Sequence, residues 1–391
     1  MASEKISRRT IIEGITVLIV IAGGFTYLAL EMGMANLMRT LMNTAHDLLI
    51  NTVFWLMGVT VLMGAFSGVL AEFGAVQLLE RLMRPLMRPL FNLPGAAALG
   101  AVVTFLSDNP AIIALSKNGK FARYFKTYQL VSLTNFGTAF GMGLVVLVTM
   151  MSFNYIVEPL LGLAAAGCGC LISTRLMQRF TLKAHPAYTA DVVMAGDADE
   201  TDETSADAVR EDRPGVFMRT LNAVLTGGKS GVDLGMSIIP GVLIITTVVI
   251  ILTNGHPVDT STGAPLPYDG GSSQGVGLLP VVVGKVNFIF EWLFGFSSPD
   301  LIAFPLTALG AVGAALGLLG NFETAGILDG NAIAVFTAIG MCWSGYLSTH
   351  AAMLDTMGFR HLISKAILAH TIAGLCAGIL AHWLYVAYSL L

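Results

Sequence analysis

Apolar runs of roughly twenty residues, each the length that crosses a bilayer as a helix, recur along the chain between short basic or polar stretches. Ile11–Leu30, Asn51–Phe73, residues 128–151, residues 155–173, Gly235–Thr253, residues 331–358 and Ile367–Leu390 predict about seven transmembrane helices. Three stretches have a mixed pattern instead. Residues 31–48 and Leu78–Leu90 place charges at helical spacing among leucines and methionines, as helices lying at the headgroups do, and Val216–Asp233 is amphipathic. Arg81, Arg84 and Arg88 make the second of these strongly basic.

Two further runs are apolar but interrupted. Ala97–Leu115 holds Ser107, Asp108, Asn109 and Pro110 at its centre. Every backbone group in hydrocarbon needs an internal partner, and an Asp at that depth costs at least ~2.5 kcal/mol. A re-entrant hairpin over 94–116, with its turn facing a cavity, meets both demands; Asn109 would cap its second arm and Pro110 would open it. A second hairpin is predicted over 298–319, around Pro305-Leu-Thr-Ala-Leu-Gly310.

Charge sets the expected orientation. Lys5, Arg8 and Arg9 precede the first span, and Lys117, Lys120, Arg123 and Lys126 follow the first hairpin. Arg175, Arg179 and Lys183 follow the fourth span, and Arg360, His361 and Lys365 precede the last. Basic loops stay in the cytoplasm. The N-terminus is therefore expected inside and the C-terminus outside, with residues 254–275, which lack Lys and Arg, outside. On this plan the second span runs inward beside a hairpin entering from inside, and the fifth runs outward beside a hairpin entering from outside. That is an inverted-topology repeat, a transporter architecture with its site near the midplane. The chain divides into residues 1–48 (first helix and amphipathic helix), 49–184 (first repeat), 185–213 (acidic cytoplasmic linker) and 214–391 (second repeat). The linker carries nine acids and two arginines between Asp191 and Arg213.

Composition excludes a water-soluble enzyme. The chain is 55% apolar and 12% charged, with mean hydropathy +0.75, where soluble proteins carry about 25% charged residues. The fold class is all-α, polytopic and membrane-embedded. Cys168, Cys170, Cys342 and Cys376 lie in apolar helices without zinc spacing and read as packing residues. Thr226-Gly-Gly-Lys-Ser230 has the tail of a phosphate-binding loop but no preceding strand. No nucleophile elbow or metal set is present, so no enzyme, cofactor or metal is expected.

The candidate chemistry sits at four polar breaks: Ser107–Pro110, Thr134–Thr138, Pro305–Gly310 and Ser344–His350. Half-helix N-termini suit anionic or carbonyl groups, and unwound carbonyls and hydroxyls suit Na⁺ or solute hydroxyls. The expected solute- or ion-binding residues are Ser107, Asp108, Asn109, Thr134, Asn135, Thr138, Thr307, Ser344, Ser348, Thr349 and His350. Asp108 is a candidate for a cation, a proton or solute hydroxyls. His350 is a candidate proton carrier, because histidine ordinarily titrates near neutral pH.

These motifs resemble the Gate-domain (nucleoside recognition) membrane proteins, which include spore maturation proteins A and B and segments of ferrous-iron transport protein B. Met57–Met151, with its paired arginine-prolines and polar hairpin, is similar to the A type. Asn222–Gly358 is similar to the B type through Gly227-Gly-Lys-Ser-Gly-Val-Asp-Leu-Gly-Met-Ser-Ile-Ile-Pro240, Pro305-Leu-Thr307, Trp343-Ser344-Gly345 and Ser348-Thr349. Asp108 and His350 depart from the pattern of the spore proteins. A more distant similarity is to concentrative nucleoside transporters, which have inverted repeats and two re-entrant hairpins. The resemblance implies a multi-pass protein of the bacterial inner membrane that moves a small polar solute, nucleoside-like or an organic ion, by alternating access. Coupling to Na⁺ or H⁺ and homo-oligomerisation stay open, and no nucleic-acid partner is expected. The alternative is a non-transporting scaffold in envelope or spore maturation.

Overall fold

A computed structural model describes residues 8–108, 111, 112, 115, 119–190, 215–258 and 264–391. The described residues are helical apart from turns, loops and one isolated bridge between Val258 and Pro265. Asn109, Pro110 and most of the acidic linker lie outside them.

Among the described residues, six helices are long and apolar enough to cross a membrane. Helix α1 (Arg8–Met32) is exposed along most of its length and joins the bundle through Leu28, Ala29 and Met32, which pack with Leu37 and Ile251. Gly33, at φ 78°, makes the turn into α2 (Met34–Glu72). Here the structure corrects the sequence reading. Residues 34–47 are not a separate interfacial helix; they continue into the second span through a π-helical turn, Leu48–Val53. Their polar face is covered by protein rather than by headgroups. Asn36 Nδ2 donates to Tyr268 O at 2.8 Å, Asn43 Nδ2 to Gly270 O at 2.8 Å, and Ser273 N to Thr44 Oγ1 at 3.0 Å. The loop expected outside thus docks on the segment that follows the first span. Residues 216–233 likewise continue into the fifth span, as α8 (Val216–Thr253), with a π-helical turn at Gly241–Thr246. In both cases an amphipathic pattern fits a headgroup helix and a helix covered on one side equally well.

Helices α2 and α8 cross antiparallel with their backbones in contact. Gly64 and Gly68 face Gly227, Ala223 and Gly231, and a Cβ built on any of the glycines would collide with backbone opposite. Thr60 Oγ1 donates across the crossing to Gly231 O at 2.8 Å. Small residues four apart allow this approach where lipid supplies no hydrophobic drive between helices.

The amphipathic α3 (Ala75–Leu86) follows α2, then α4 (Ala97–Leu106), the first arm of hairpin one. Ile112, on the returning chain, packs against Gly100 of α4 and Gly137. The third span breaks into α5 (Thr127–Thr138) and α6 (Gly143–Met151), with Met142 in the left-handed region at φ 53°. Helix α7 (Val157–Ala184) is the fourth span and runs longer than its apolar core. In the second half, α9 (Leu278–Gly284) and α10 (Asn287–Phe294) precede hairpin two. That hairpin is a 3-10 turn (Pro299–Ile302) and α11 (Ala303–Ala308), then a break with Ala311 extended, then α12 (Val312–Leu316) and α13 (Leu319–Thr324). The sixth expected span is two shorter helices, α14 (Gly330–Cys342) and α15 (Tyr346–Thr356), parted at Trp343–Gly345. Helix α16 (Ile363–Ser389) is the last.

The two halves therefore have one order: long helix, short amphipathic helices, hairpin, broken helix, long helix. Corresponding helices run in opposite directions. Besides α2 and α8, α7 and α16 are antiparallel, with Gly169 against Ala377 and Ala373, and Ser173 bonded to His370. Helix α14 runs with α7, placing Gly162 on Ala334 and Gly169 on Cys342. Helix α5 runs against α7, from Ser132 beside Gln178 to Asn135 beside Ser173.

One end of the bundle gathers the basic segments. Arg175 donates to the carbonyls of Pro89 and Leu90, both at 2.7 Å, at the end of the basic α3 segment. His185, Tyr188 and His361 form one aromatic cluster there. The other end holds Glu158 and Asp329 near Tyr155 and Tyr385.

Candidate functional site

The two helix breaks meet. Ser344 Oγ donates to Thr138 O at 3.0 Å, so a hydroxyl from the second half joins the Gly141 N–H on a carbonyl at the end of α5. Gly345, at φ 77°, turns the chain into α15. This is a left-handed position that glycine adopts without strain.

A directional hydrogen-bond chain runs beside the breaks. Asn135, fully buried, donates through Nδ2 to Ser173 Oγ at 2.9 Å and to Ala366 O at 3.0 Å. Ala366 O only accepts, which fixes the orientation of the amide. Its Oδ1 lies 3.1 Å from Thr134 Oγ1. Ser173 Oγ and His370 Nδ1 are 2.7 Å apart, and His370 Nε2 contacts Cys342 O. A carbonyl needs a donor, so Nε2 carries the hydrogen and Nδ1 accepts from Ser173. His350 Nδ1 lies 2.7 Å from Tyr346 O and must carry its hydrogen for the same reason. His350 Nε2 is buried and has no hydrogen-bond partner. Trp343 Nε1 donates to His370 O at 3.3 Å, and Tyr346 Oη pairs with Thr371 Oγ1 at 2.9 Å.

The structure thus unites Thr134, Asn135, Thr138, Ser344 and His350. Thr307 stands apart, its buried hydroxyl donating to Ala303 O of its own helix at 2.8 Å. Thr349 is half-buried on α15. Ser348 lies on the same helix, with a side chain outside the described residues, as is Asn109. Sequence reasoning missed Ser173 and His370. His370 carried a signal, an ionisable residue inside an apolar span, which is a functional hypothesis by default.

Ser107 and Asp108 belong to a different place. They line a cavity of about 900 Å³ between hairpin one and the α2–α8 pair, a size ordinary for a small-molecule site. Ser67 and Thr60 line it from α2, and Asn222, Thr226, Ser230 and Ser237 from α8. Asn222, Thr226 and Ser230 recur every fourth residue and share a face. The Thr226–Ser230 stretch is therefore a polar helix stripe. Glu72 also lines the cavity, 2.6 Å from Arg219, and among the described residues no Lys, Arg or His lines it. Ser67 Oγ donates to Leu106 O at 3.0 Å, which ties the hairpin arm to α2 beside the cavity.

Hairpin two meets the same pair of helices without such a gap. Thr246 Oγ1 donates to Ala314 O at 2.7 Å, Gly241 approaches Ala311, and Gly317 approaches Thr52. The π-helical turns of α2 and α8 therefore lie where hairpin two crosses, and π turns often mark functional sites. Among the described residues, no group of three or more His, Cys, Asp and Glu could hold a metal ion.

Residues 53–154 match the model of a family described as Gate, nucleoside recognition. An uncharacterized protein of Alkalihalophilus pseudofirmus is 24% identical over 207 residues, which are 52% of this chain and 45% of that protein. The match thus spans less than half the length of that relative. Among solved structures, CNTnw in an inward-facing substrate-bound state is similar with TM-score 0.51 and 13% identity, over 83% of this chain and 73% of that one. A CNTnw variant in its intermediate 1 state is similar with TM-score 0.49 and 14% identity, over 95% of this chain and 85% of that one. The chain is a multi-pass membrane protein with the fold of CNTnw.

Proposed function

We propose that the protein is a secondary transporter of a small polar solute, working by alternating access in the bacterial inner membrane. One observation carries this reading. Hairpin one leaves a solute-sized cavity against the α2–α8 pair, whereas hairpin two is packed onto the same pair. Such asymmetry between corresponding elements is what one state of an alternating-access cycle requires. The cavity is lined at one end by Glu72 and Val76, next to the basic α3, so the positive-inside rule makes it an inward opening. The likeness to an inward-facing structure supports the same direction.

The lining suggests the solute. Asp108 and Glu72 are its ionisable groups, and hydroxyls and an amide supply the rest. A neutral, hydroxyl-rich solute such as a nucleoside, or an organic cation, suits this surface better than an anion. The family description of residues 53–154 favours the nucleoside-like solute. Ser107 and Asp108 make the hairpin contact, and the joined breaks at Thr138 and Ser344 form the hinge between halves. Na⁺ or H⁺ provides the coupling, with Asp108 and His350 as the residues that respond.

Uptake into proteoliposomes over a panel of nucleosides and organic ions, with imposed Na⁺ or H⁺ gradients, tests the reading. Gradient-stimulated uptake that Asp108→Asn abolishes is expected. No uptake of any solute, together with full complementation by Asp108→Asn in cells, would sink it.

A further inference from the structure

A second cavity, of about 410 Å³, opens at the basic end between α7, the start of α5 and the segment that follows α3. Arg175, Arg179, Tyr128 and Asn92 line its polar side, and Leu90, Leu171 and Leu182 its apolar side. Among the described residues no carboxylate lines it. Arg175 is held by two neutral carbonyls, through Nε to Leu90 O and Nη2 to Pro89 O. Among the described residues its charge thus has no carboxylate partner, and no bond to its third nitrogen is made. Arg179 makes no ion pair among the described residues. Tyr128 is nine-tenths buried, and its hydroxyl accepts from Asn92 Nδ2 at 3.1 Å. That leaves the phenolic hydrogen free to donate into the cavity. Gln178 is engaged at both ends, donating to Phe91 O at 3.0 Å and accepting from Asn92 at 3.1 Å.

We infer that this cavity is a binding site for the phosphate headgroup of an anionic phospholipid. Two guanidinium groups and a phenolic donor converge without a counter-ion, which is the chemistry of a phosphodiester site. The three leucines continue from it, which suits the first carbons of an acyl chain and not a free anion. The level is right as well. Leu78, Leu82, Leu86 and Leu90 of the neighbouring amphipathic segment are exposed, the face such a helix turns into the bilayer. Basic pockets between membrane helices on the cytoplasmic side take lipid headgroups in this way. A lipid seated here wedges between α7 and the chain leading into hairpin one, and so braces the base of the hairpin. This inference stands whether or not the protein transports.

The test uses the full-length protein, delipidated in detergent and titrated with phosphatidylglycerol or phosphatidylcholine, with bound lipid counted by native mass spectrometry. Selective retention of phosphatidylglycerol is expected. Arg179→Gln weakens it about five-fold, the share of one arginine near a membrane surface. Tyr128→Phe, which removes only a hydroxyl, also weakens it. Arg81→Gln, on α3 and outside the cavity, leaves it unchanged. Equal loss in Arg81→Gln would show a diffuse basic face and overturn the site. So would unchanged retention in both cavity variants, or displacement of the lipid by equimolar inorganic phosphate.

Discussion

The imidazole rings of His350 and His370 lie 4.7 Å apart, centroid to centroid, inclined at 57°. They come from different helices, and their hydrogen-bond states differ. Both ring nitrogens of His370 are engaged, whereas His350 keeps one buried nitrogen without a partner. Replacing His370 by Leu strands the Ser173 hydroxyl and the Cys342 carbonyl, at about 1–3 kcal/mol for each buried group. His350→Asn keeps a donor near Tyr346 O, and of the ring atoms it removes the polar one, Nε2, has no hydrogen-bond partner among the described residues. Thermal unfolding of the purified protein should therefore fall sharply for His370→Leu and little for His350→Asn. Equal loss in both would contradict the assigned hydrogen-bond directions.

The contact between the breaks predicts a functional change larger than its stability cost. Ser344→Ala removes the neutral hydrogen bond to Thr138 O, itself worth about 1 kcal/mol or less in a membrane bundle. If the breaks are the hinge, the uptake rate changes several-fold while the unfolding temperature moves little. Ser344→Thr, which keeps the hydroxyl, should restore the rate.

Adjacent glycines on α8 should respond in opposite ways. A methyl at Gly227 collides with the backbone at Gly64, so Gly227→Ala should destabilise by about 1–3 kcal/mol. At Gly228 the nearest atom to an added Cβ is Val61 Cγ1, at 3.7 Å. Gly228→Ala should then be neutral, or stabilising by about 0.4–1 kcal/mol through the unfolded chain. Unfolding midpoints of the two variants decide this directly.

The loop docked on α2 should loosen in acid. The Gln274 side chain and the Gly271 N–H hold the Asp269 carboxyl below the usual carboxylate range. A group with a depressed folded pKa stabilises above its unfolded value, and that contribution fades as pH falls through the folded value. Hydrogen exchange of residues 264–277 should accelerate below pH ~4 relative to Asp269→Asn, which keeps the acceptor and cannot titrate. Identical profiles for the two proteins would remove Asp269 from the account.

Much of this architecture was legible in the sequence. Apolar length marked the spans, and polar residues inside them marked the breaks at Thr138, Gly310 and Ser344. The positions of basic residues implied opposed halves before any contact was known. Two things were hidden for physical reasons. An amphipathic pattern does not say what covers its polar face, so residues 31–48 read as a headgroup helix when Asn36 and Asn43 hold a loop. Nor does a lone intramembrane histidine name its partner, and Ser173 and His370 are 197 positions apart. Asp108 and His350, grouped as one site from sequence, divide between the cavity and the breaks.

The seam between Gly64–Gly68 and Gly227–Gly231 also sets a schedule for biogenesis. Its two faces are made far apart in time: at roughly 5–20 residues per second, α2 waits on the order of ten to thirty seconds for α8 to emerge from the ribosome. For that interval a helix built to touch backbone has only lipid or an insertion factor against its bare face. The first half must survive in the membrane unpartnered before the second half can close the frame.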